Sequence, residues 1–191
     1  AEIEVVGIGN KDGPYTVLDR DGVNERNGVA WDDADPSQLP YWRTPRLEDW
    51  TRQLIAAIDQ SIAPVWLVAH SFGCLASVRA AAAREQRVAG AFLVAPADPD
   101  RFDCGDQLPQ QPLALPSVLV ASSNDPWLGL LKAGLWAQRW GSRLVSIGAA
   151  GHVNAESGFG PWVEGRALFR DFVRAEAGLP LGDITTASSR R

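Results

Sequence analysis

Ser71 is the residue of this chain whose surroundings first suggest chemistry. It stands in the stretch VWLVAHSFGCLAS, residues 65–77, where an apolar run ends at His70-Ser71 and an Ala-rich segment follows at once. A buried strand that runs directly into a helix leaves no room for an ordinary loop, so only a very sharp turn fits. At such an apex the serine takes a strained backbone conformation that exposes its hydroxyl. The positions two before and two after must be small, because strand and helix nearly touch there. Ala69 and Gly73 meet that demand. The helix start adds positive potential and the free N–H of Phe72, the donor that a tetrahedral oxyanion beside Ser71 needs.

A serine hydroxyl is a weak nucleophile unless a base lies within hydrogen-bond reach. The chain has two histidines. His70 adjoins Ser71 and is badly placed to face back to its hydroxyl, which leaves His152 as the candidate base. His152 lies in GAAGHVNAESG, residues 148–158, a small-residue loop just after the last predicted strand. That places it at the C-terminal edge of a sheet, where α/β proteins build their sites.

The elements that must position these groups follow from the apolar pattern. Runs at Ile3–Ile8, Val65–Ala69, Val88–Val94 and Val118–Ala121, with weaker ones at Gly28–Trp31 and Leu144–Ile147, suit about six strands buried on both faces of a mainly parallel sheet. Helical spacing of Leu47, Trp50, Leu54 and Ile58 predicts a helix over 45–62, with Thr44 as its cap and Pro45 in its first position. Further helices are predicted over 72–84, 127–140 and 162–176, the last stopped by Gly178 and Pro180. Two stretches resist the pattern, the turn-rich 10–27 and the proline-rich 95–116. Both exceed the common connection of about 4–6 residues and could border a site.

The pentad Ala69-His70-Ser71-Phe72-Gly73 resembles the G-x-S-x-G nucleophile elbow of α/β-hydrolases, with alanine in place of the first glycine. The chain order of that fold, serine then acid then histidine, confines the third member to positions between 71 and 152. Asp98, Asp100, Asp103 and Asp106 lie in the proline-rich stretch, which offers solvated polar neighbours and no rigid support. Asp125 instead follows SVLVASSND at a strand end and precedes Pro126, which can open the next helix, so it is the preferred orienter of His152. Capping that helix is a second role compatible with the first.

Together, AHSFG, SSNDPW, GHVN and the helix entry TPRLEDW resemble the small serine hydrolases of the family named for retinoblastoma-binding protein 9, over most of the chain. The resemblance implies Ser71 as nucleophile, His152 as base and Asp125 as orienter. Relatives carry a Gly-rich loop after the first strand and then a His-Trp pair. Here the region reads GIGNKDGPYTVLDRDGV, in which Gly9 or Asn10 would supply the second oxyanion N–H. Of the tryptophans, Trp50, Trp66, Trp136 and Trp140 read as core, while Trp127 and Trp162 stand near enough in sequence to Asp125 and His152 to line an acyl pocket.

Length and composition narrow the remaining choices. With 191 residues and 46% hydrophobic content, the chain fills one core, expected as a single α/β-hydrolase domain over 1–180 with a polar tail over 181–191 and no large cap domain. A net charge of −5, with 16 Arg, 2 Lys and no basic run before Arg190-Arg191, argues against nucleic acid or an anionic membrane as partner. No segment approaches the roughly 18 apolar residues of a membrane span, and AEIEVVGIGN lacks a basic n-region, so a cytoplasmic protein is expected. Cys74 and Cys104 read as neither a disulfide nor half a metal site. The expected reaction is hydrolysis of a small ester or related acyl substrate, with no cofactor, no metal and no protein partner indicated. The alternatives are a protein-binding module with vestigial or slow catalysis, and acyl transfer to an alcohol or amine.

Overall fold

The structure is a computed structural model that describes residues 5–8, 18–19, 22–23, 45–159 and 161–178. The chain falls into two compact units, Ala1–Gly160 and Pro161–Arg191. Among the described residues, the first unit is built on a five-stranded parallel sheet. In chain order its described elements are β1 (Val5–Ile8), β2 (Leu18–Asp19), β3 (Gly22–Val23), α1 (Leu47–Gln60), β4 (Val65–Ser71), α2 (Phe72–Ala83), β5 (Val88–Pro96), β6 (Ser117–Ala121), α3 (Leu130–Trp140) and β7 (Arg143–Ser146). The sheet runs β1-β4-β5-β6-β7, and the short β2 and β3 pair antiparallel as a separate ribbon. Among the described residues, no helix is long and apolar enough to cross a membrane.

Parallel pairing forces each return through a crossover, and α2 and α3 are such crossovers. β4, β5 and β6 are buried along nearly their whole length, as their unbroken apolar runs require. α1 lays Leu47, Trp50, Leu54 and Ile58 into the core, each worth about 1.5–3 kcal/mol of burial. α2 carries Cys74, Leu75, Ala76, Val78, Ala80 and Ala81 fully buried; small side chains let it lie close to the sheet. Trp50, Trp66, Trp136 and Trp140 are all buried, as expected of core tryptophans. Trp66 needs Gly90 opposite it on β5, where any Cβ would run into the indole ring.

Several boundaries differ from the sequence reading. α1 starts at Leu47 with Arg46 as N-cap, whose carbonyl takes the N–H groups of Asp49 and Trp50; Pro45 lies ahead of the helix. α3 starts at Leu130, so Pro126 belongs to a turn. The proline-rich stretch does have support. It forms two 3-10 turns, Pro99–Phe102 and Gly105–Gln107, and buries Cys104, Leu108 and Leu115. Both cysteines are free and buried. The strand expected at Gly28–Trp31, the cap Thr44 and the tail 181–191 lie outside the described residues.

The described part of the second unit is α4 (Val163–Glu176), in which Gly165, Phe169, Phe172 and Val173 recur along one face. Trp162 is its N-cap residue, and its ring occupies the space a Cβ on Gly165 would need.

Candidate active site

Ser71 closes β4 and caps α2 with φ 56° and ψ −126°, a left-handed conformation that non-glycine residues rarely adopt. The neighbouring strand yields at the same level. His70 pairs with Val94 but Ser71 pairs with Pro96, so Ala95 is an extra residue in β5, and it too has a positive φ, 44°. This bulge opposite the elbow is where the sheet absorbs the abrupt turn. Each such residue costs about 1–3 kcal/mol, which the packed walls of β4, β5 and α2 offset. Phe72 is the first residue of α2, so its N–H has no acceptor within the helix and stands next to Ser71.

The other two groups come from loops beyond the C-terminal ends of β6 and β7. Strands β4 and β6 are two steps apart in the sheet, roughly 10 Å, and a carboxylate, an imidazole and a hydroxyl in line can bridge that gap. Here they do. His152 Nε2 lies 2.9 Å from Ser71 Oγ, and His152 Nδ1 lies 3.0 Å from both Oδ1 and Oδ2 of Asp125. With Nδ1–H donating to the carboxylate, Nε2 is the acceptor for the serine hydroxyl. All three side chains are buried, Ser71 at 7% exposure, Asp125 at 8% and His152 at 3%, so these polar bonds act where water competes little. Asp125 also accepts the backbone N–H of Trp127 at 2.8 Å. That bond closes a tight turn rather than capping a helix.

Trp127 is 42% exposed, and its ring centre lies 5.8 Å from that of His152. The Arg101 guanidinium stacks 5.2 Å from the Trp127 ring centre and donates to the Pro126 carbonyl at 2.9 Å. Phe102 packs against Phe72 with ring centres 4.8 Å apart, so the proline-rich segment reaches the elbow. Lys132 binds Asp98 at 2.6 Å and Asp100 at 2.5 Å, which takes Asp98 away from any role toward His152. Trp162 belongs to the second unit. Gly9 and Asn10, the expected second oxyanion donors, lie outside the described residues.

Three contributions escaped the sequence. His70 Nε2 donates to the His152 backbone carbonyl at 2.7 Å, and the two rings are 4.8 Å apart. Burial lowers the His70 pKa from 6.5, against the opposing pull of that hydrogen bond, so the ring favours its neutral form. Ser157 Oγ accepts the His152 backbone N–H at 3.0 Å and donates to Asn154 Oδ1 at 2.8 Å. Ser122 and Asn124, just ahead of Asp125, bond to the loop that carries His152. No pattern within the chain marks these links.

A parallel sheet with a strained strand-helix serine, followed in the chain by the carboxylate and then the histidine, defines an α/β-hydrolase fold. Residues 30–171 match the model of the serine hydrolase family, and the chain belongs to that family. Among solved structures it is similar to a YdeN-like hydrolase from Pectobacterium atrosepticum, at 30% identity over 93% of this chain and 94% of that one, with a TM-score of 0.71. It is also similar to the ydeN gene product of B. subtilis, at 19% identity over 90% and 98%, with a TM-score of 0.64. Est1E from Butyrivibrio proteoclasticus, solved with ferulic acid, shares the fold at 13% identity over 72% and 71%, with a TM-score of 0.56. A search of the curated proteins returns no match.

Proposed function

We propose that this hydrolase cleaves small carboxylic esters, or closely related acyl substrates, through an acyl-enzyme on Ser71. One observation carries the reading: the unbroken line of hydrogen bonds from Asp125 through His152 to Ser71 Oγ, at 3.0 and 2.9 Å. Asp125 holds the imidazole with its proton on Nδ1. Nε2 then takes the Ser71 proton as Oγ attacks the substrate carbonyl. The resulting oxyanion is met by the Phe72 N–H at the positive end of α2. Collapse expels the alcohol, which takes the proton from Nε2. Water, deprotonated by the same nitrogen, then attacks the acyl-enzyme, and Nε2 returns that proton to Ser71 Oγ as the acid leaves.

A vestigial site would be expected to have lost one member of this line or its alignment, and neither is lost. A second oxyanion N–H from Gly9 or Asn10, and an acyl pocket bordered by Trp127, complete the proposal. So does kinship with the small hydrolases of the retinoblastoma-binding protein 9 family, on AHSFG, SSNDPW and GHVN. The test is labelling with a fluorophosphonate probe, read by peptide mass. Wild type is expected to be labelled at Ser71, with ester hydrolysis blocked in step. Ser71→Ala is expected to abolish both while the circular dichroism spectrum is unchanged. Stoichiometric labelling of another serine would overturn the assignment.

A further inference from the structure

Asp125 and His152 sit on two different loops, and both loops follow short strands at one side of the sheet. β7 is the outermost strand of the five and is largely exposed. Nothing in such an edge strand fixes the path of the loop beyond it. The backbone there is nonetheless unusual: Gly148 and Gly151 have φ of 74° and 56°, and Val153, immediately after the base, has φ 50°. A β-branched residue with positive φ is strained, and it holds that conformation only if its neighbours are pinned.

The pins come from the acid loop. Ser122, wholly buried, accepts the Ala150 N–H at 2.9 Å and donates its own hydroxyl proton to Asn124 Oδ1 at 2.8 Å. Asn124 Oδ1 accepts, in addition, the Gly151 N–H at 2.7 Å. Backbone bonds from Ile147 to Ala121 and from Ser123 to Gly148 continue the seam toward the sheet. Asn124 is therefore bonded to the residue directly before His152 and is itself the residue directly before Asp125.

We infer that Asn124, oriented by Ser122, is the positioning residue that sets the distance between Asp125 and His152. The inference rests on the function proposed above. The amide works here as an acceptor alone. Both of its bonds end on Oδ1, and Nδ2 makes no hydrogen bond among the described residues. A carboxylate of the same shape can therefore replace it, whereas a methyl group cannot. Asn124 also stands at the surface, so in Asn124→Ala a water molecule can satisfy the freed Gly151 N–H and the fold is expected to survive.

The experiment compares wild type, Asn124→Ala and Asn124→Asp by steady-state kinetics on p-nitrophenyl acetate. It adds the proton resonance of His152 Nδ1–H in protein labelled with 15N-histidine, and thermal melts as a control. Asn124→Ala is expected to lose on the order of 10²-fold in kcat with little change in KM, the cost of a small misplacement of catalytic groups. Its Nδ1–H signal should shift or broaden. Asn124→Asp should recover most of that loss. An Asn124→Ala enzyme that matches wild type, an Nδ1–H signal that does not move, or an Asn124→Asp enzyme no better than the alanine variant would each overturn the inference. Failure of wild type to label at Ser71 would instead sink the proposed function, and the Nδ1–H signal reads the positioning independently of it.

Discussion

The Nε2 of His70 reaches across from β4 to the backbone carbonyl of His152 at 2.7 Å, so the residue beside the nucleophile is tied to the residue that would serve as its base. The link is local on one side and long-range on the other, spanning most of the sheet. It also fixes the His70 tautomer, since a carbonyl can only accept. The two histidines of the chain are thus both in the site, with different duties.

The first prediction concerns acid stability. Burial lowers the His70 pKa, while in the unfolded chain it titrates at about 6.5. The folded state therefore prefers the neutral ring, and below that pH the unfolded state binds the extra proton. His70 contributes its full share of stability above about pH 6.5 and loses it as pH falls toward the folded-state value. His70→Gln keeps an N–H near the His152 carbonyl and removes the titration. Thermal melts from pH 7.5 to 5 are expected to fall more steeply for wild type than for the variant. Parallel curves would show that His70 is not held neutral.

The second concerns the orienting carboxylate. Asp125→Asn can retain the Trp127 N–H bond through its oxygen, so stability should change little. Its amide nitrogen would face His152 Nδ1 and favour the wrong tautomer. The expected loss in kcat is on the order of 10⁴-fold, as where an orienting aspartate is lost in serine proteases. Near-wild-type kinetics would refute the assignment, and Asp98 could not replace it while bound to Lys132.

A third tests the strained base loop. Gly151 has φ 56°, and a Cβ there would collide with Ser157 Oγ, the acceptor of the His152 N–H. Gly151→Ala is expected to destabilise the protein by about 1–3 kcal/mol and to lower kcat as His152 shifts. Urea unfolding and turnover number measure the two effects. Wild-type values in both would mean that the loop accommodates the methyl group freely.

What the sequence makes legible here is local. The elbow can be read because an apolar run, a serine and small residues two before and two after it have one geometric solution. Asp125 and His152 can be read because each follows a strand-like run at the edge where sites form. The support of the proline-rich segment is not legible, because Cys104, Leu108 and Leu115 are buried at spacings that match no helix or strand, so polarity and proline read as an unsupported loop. The α1 start is not legible to the residue, because Thr44-Pro45 reads as a cap and a first turn, whereas the carbonyl of Arg46 makes the first bonds. Ser122, Asn124 and the His70 link were invisible because their partners lie 25 or more residues away, and no pattern within the chain encodes that pairing.

The last prediction is substrate size. Larger α/β-hydrolases shelter long acyl chains under a helical cap inserted after the strand that follows the elbow. In this chain the insertion between β5 and β6 forms only two 3-10 turns, with its apolar residues Cys104, Leu108 and Leu115 turned into the core and Phe102 packed edge-on against Phe72. Of the described side chains beside His152, Trp127 is the exposed aromatic, and Arg101 covers part of its ring. Extended apolar surface for a long chain is therefore lacking on this side of the site. Lys132 pairs with Asp98 and Asp100, and Arg101 stands on the Trp127 side, so part of the negative charge at this rim is balanced. Length, more than charge, should govern selection. On p-nitrophenyl esters, kcat/KM is expected to be highest for acyl groups of ~2–6 carbons and to show no jump above the solubility limit, because no amphipathic lid of the insertion is there to open. An optimum at long chains, or activation by micelles, would place an apolar cover over Ser71 and defeat the prediction.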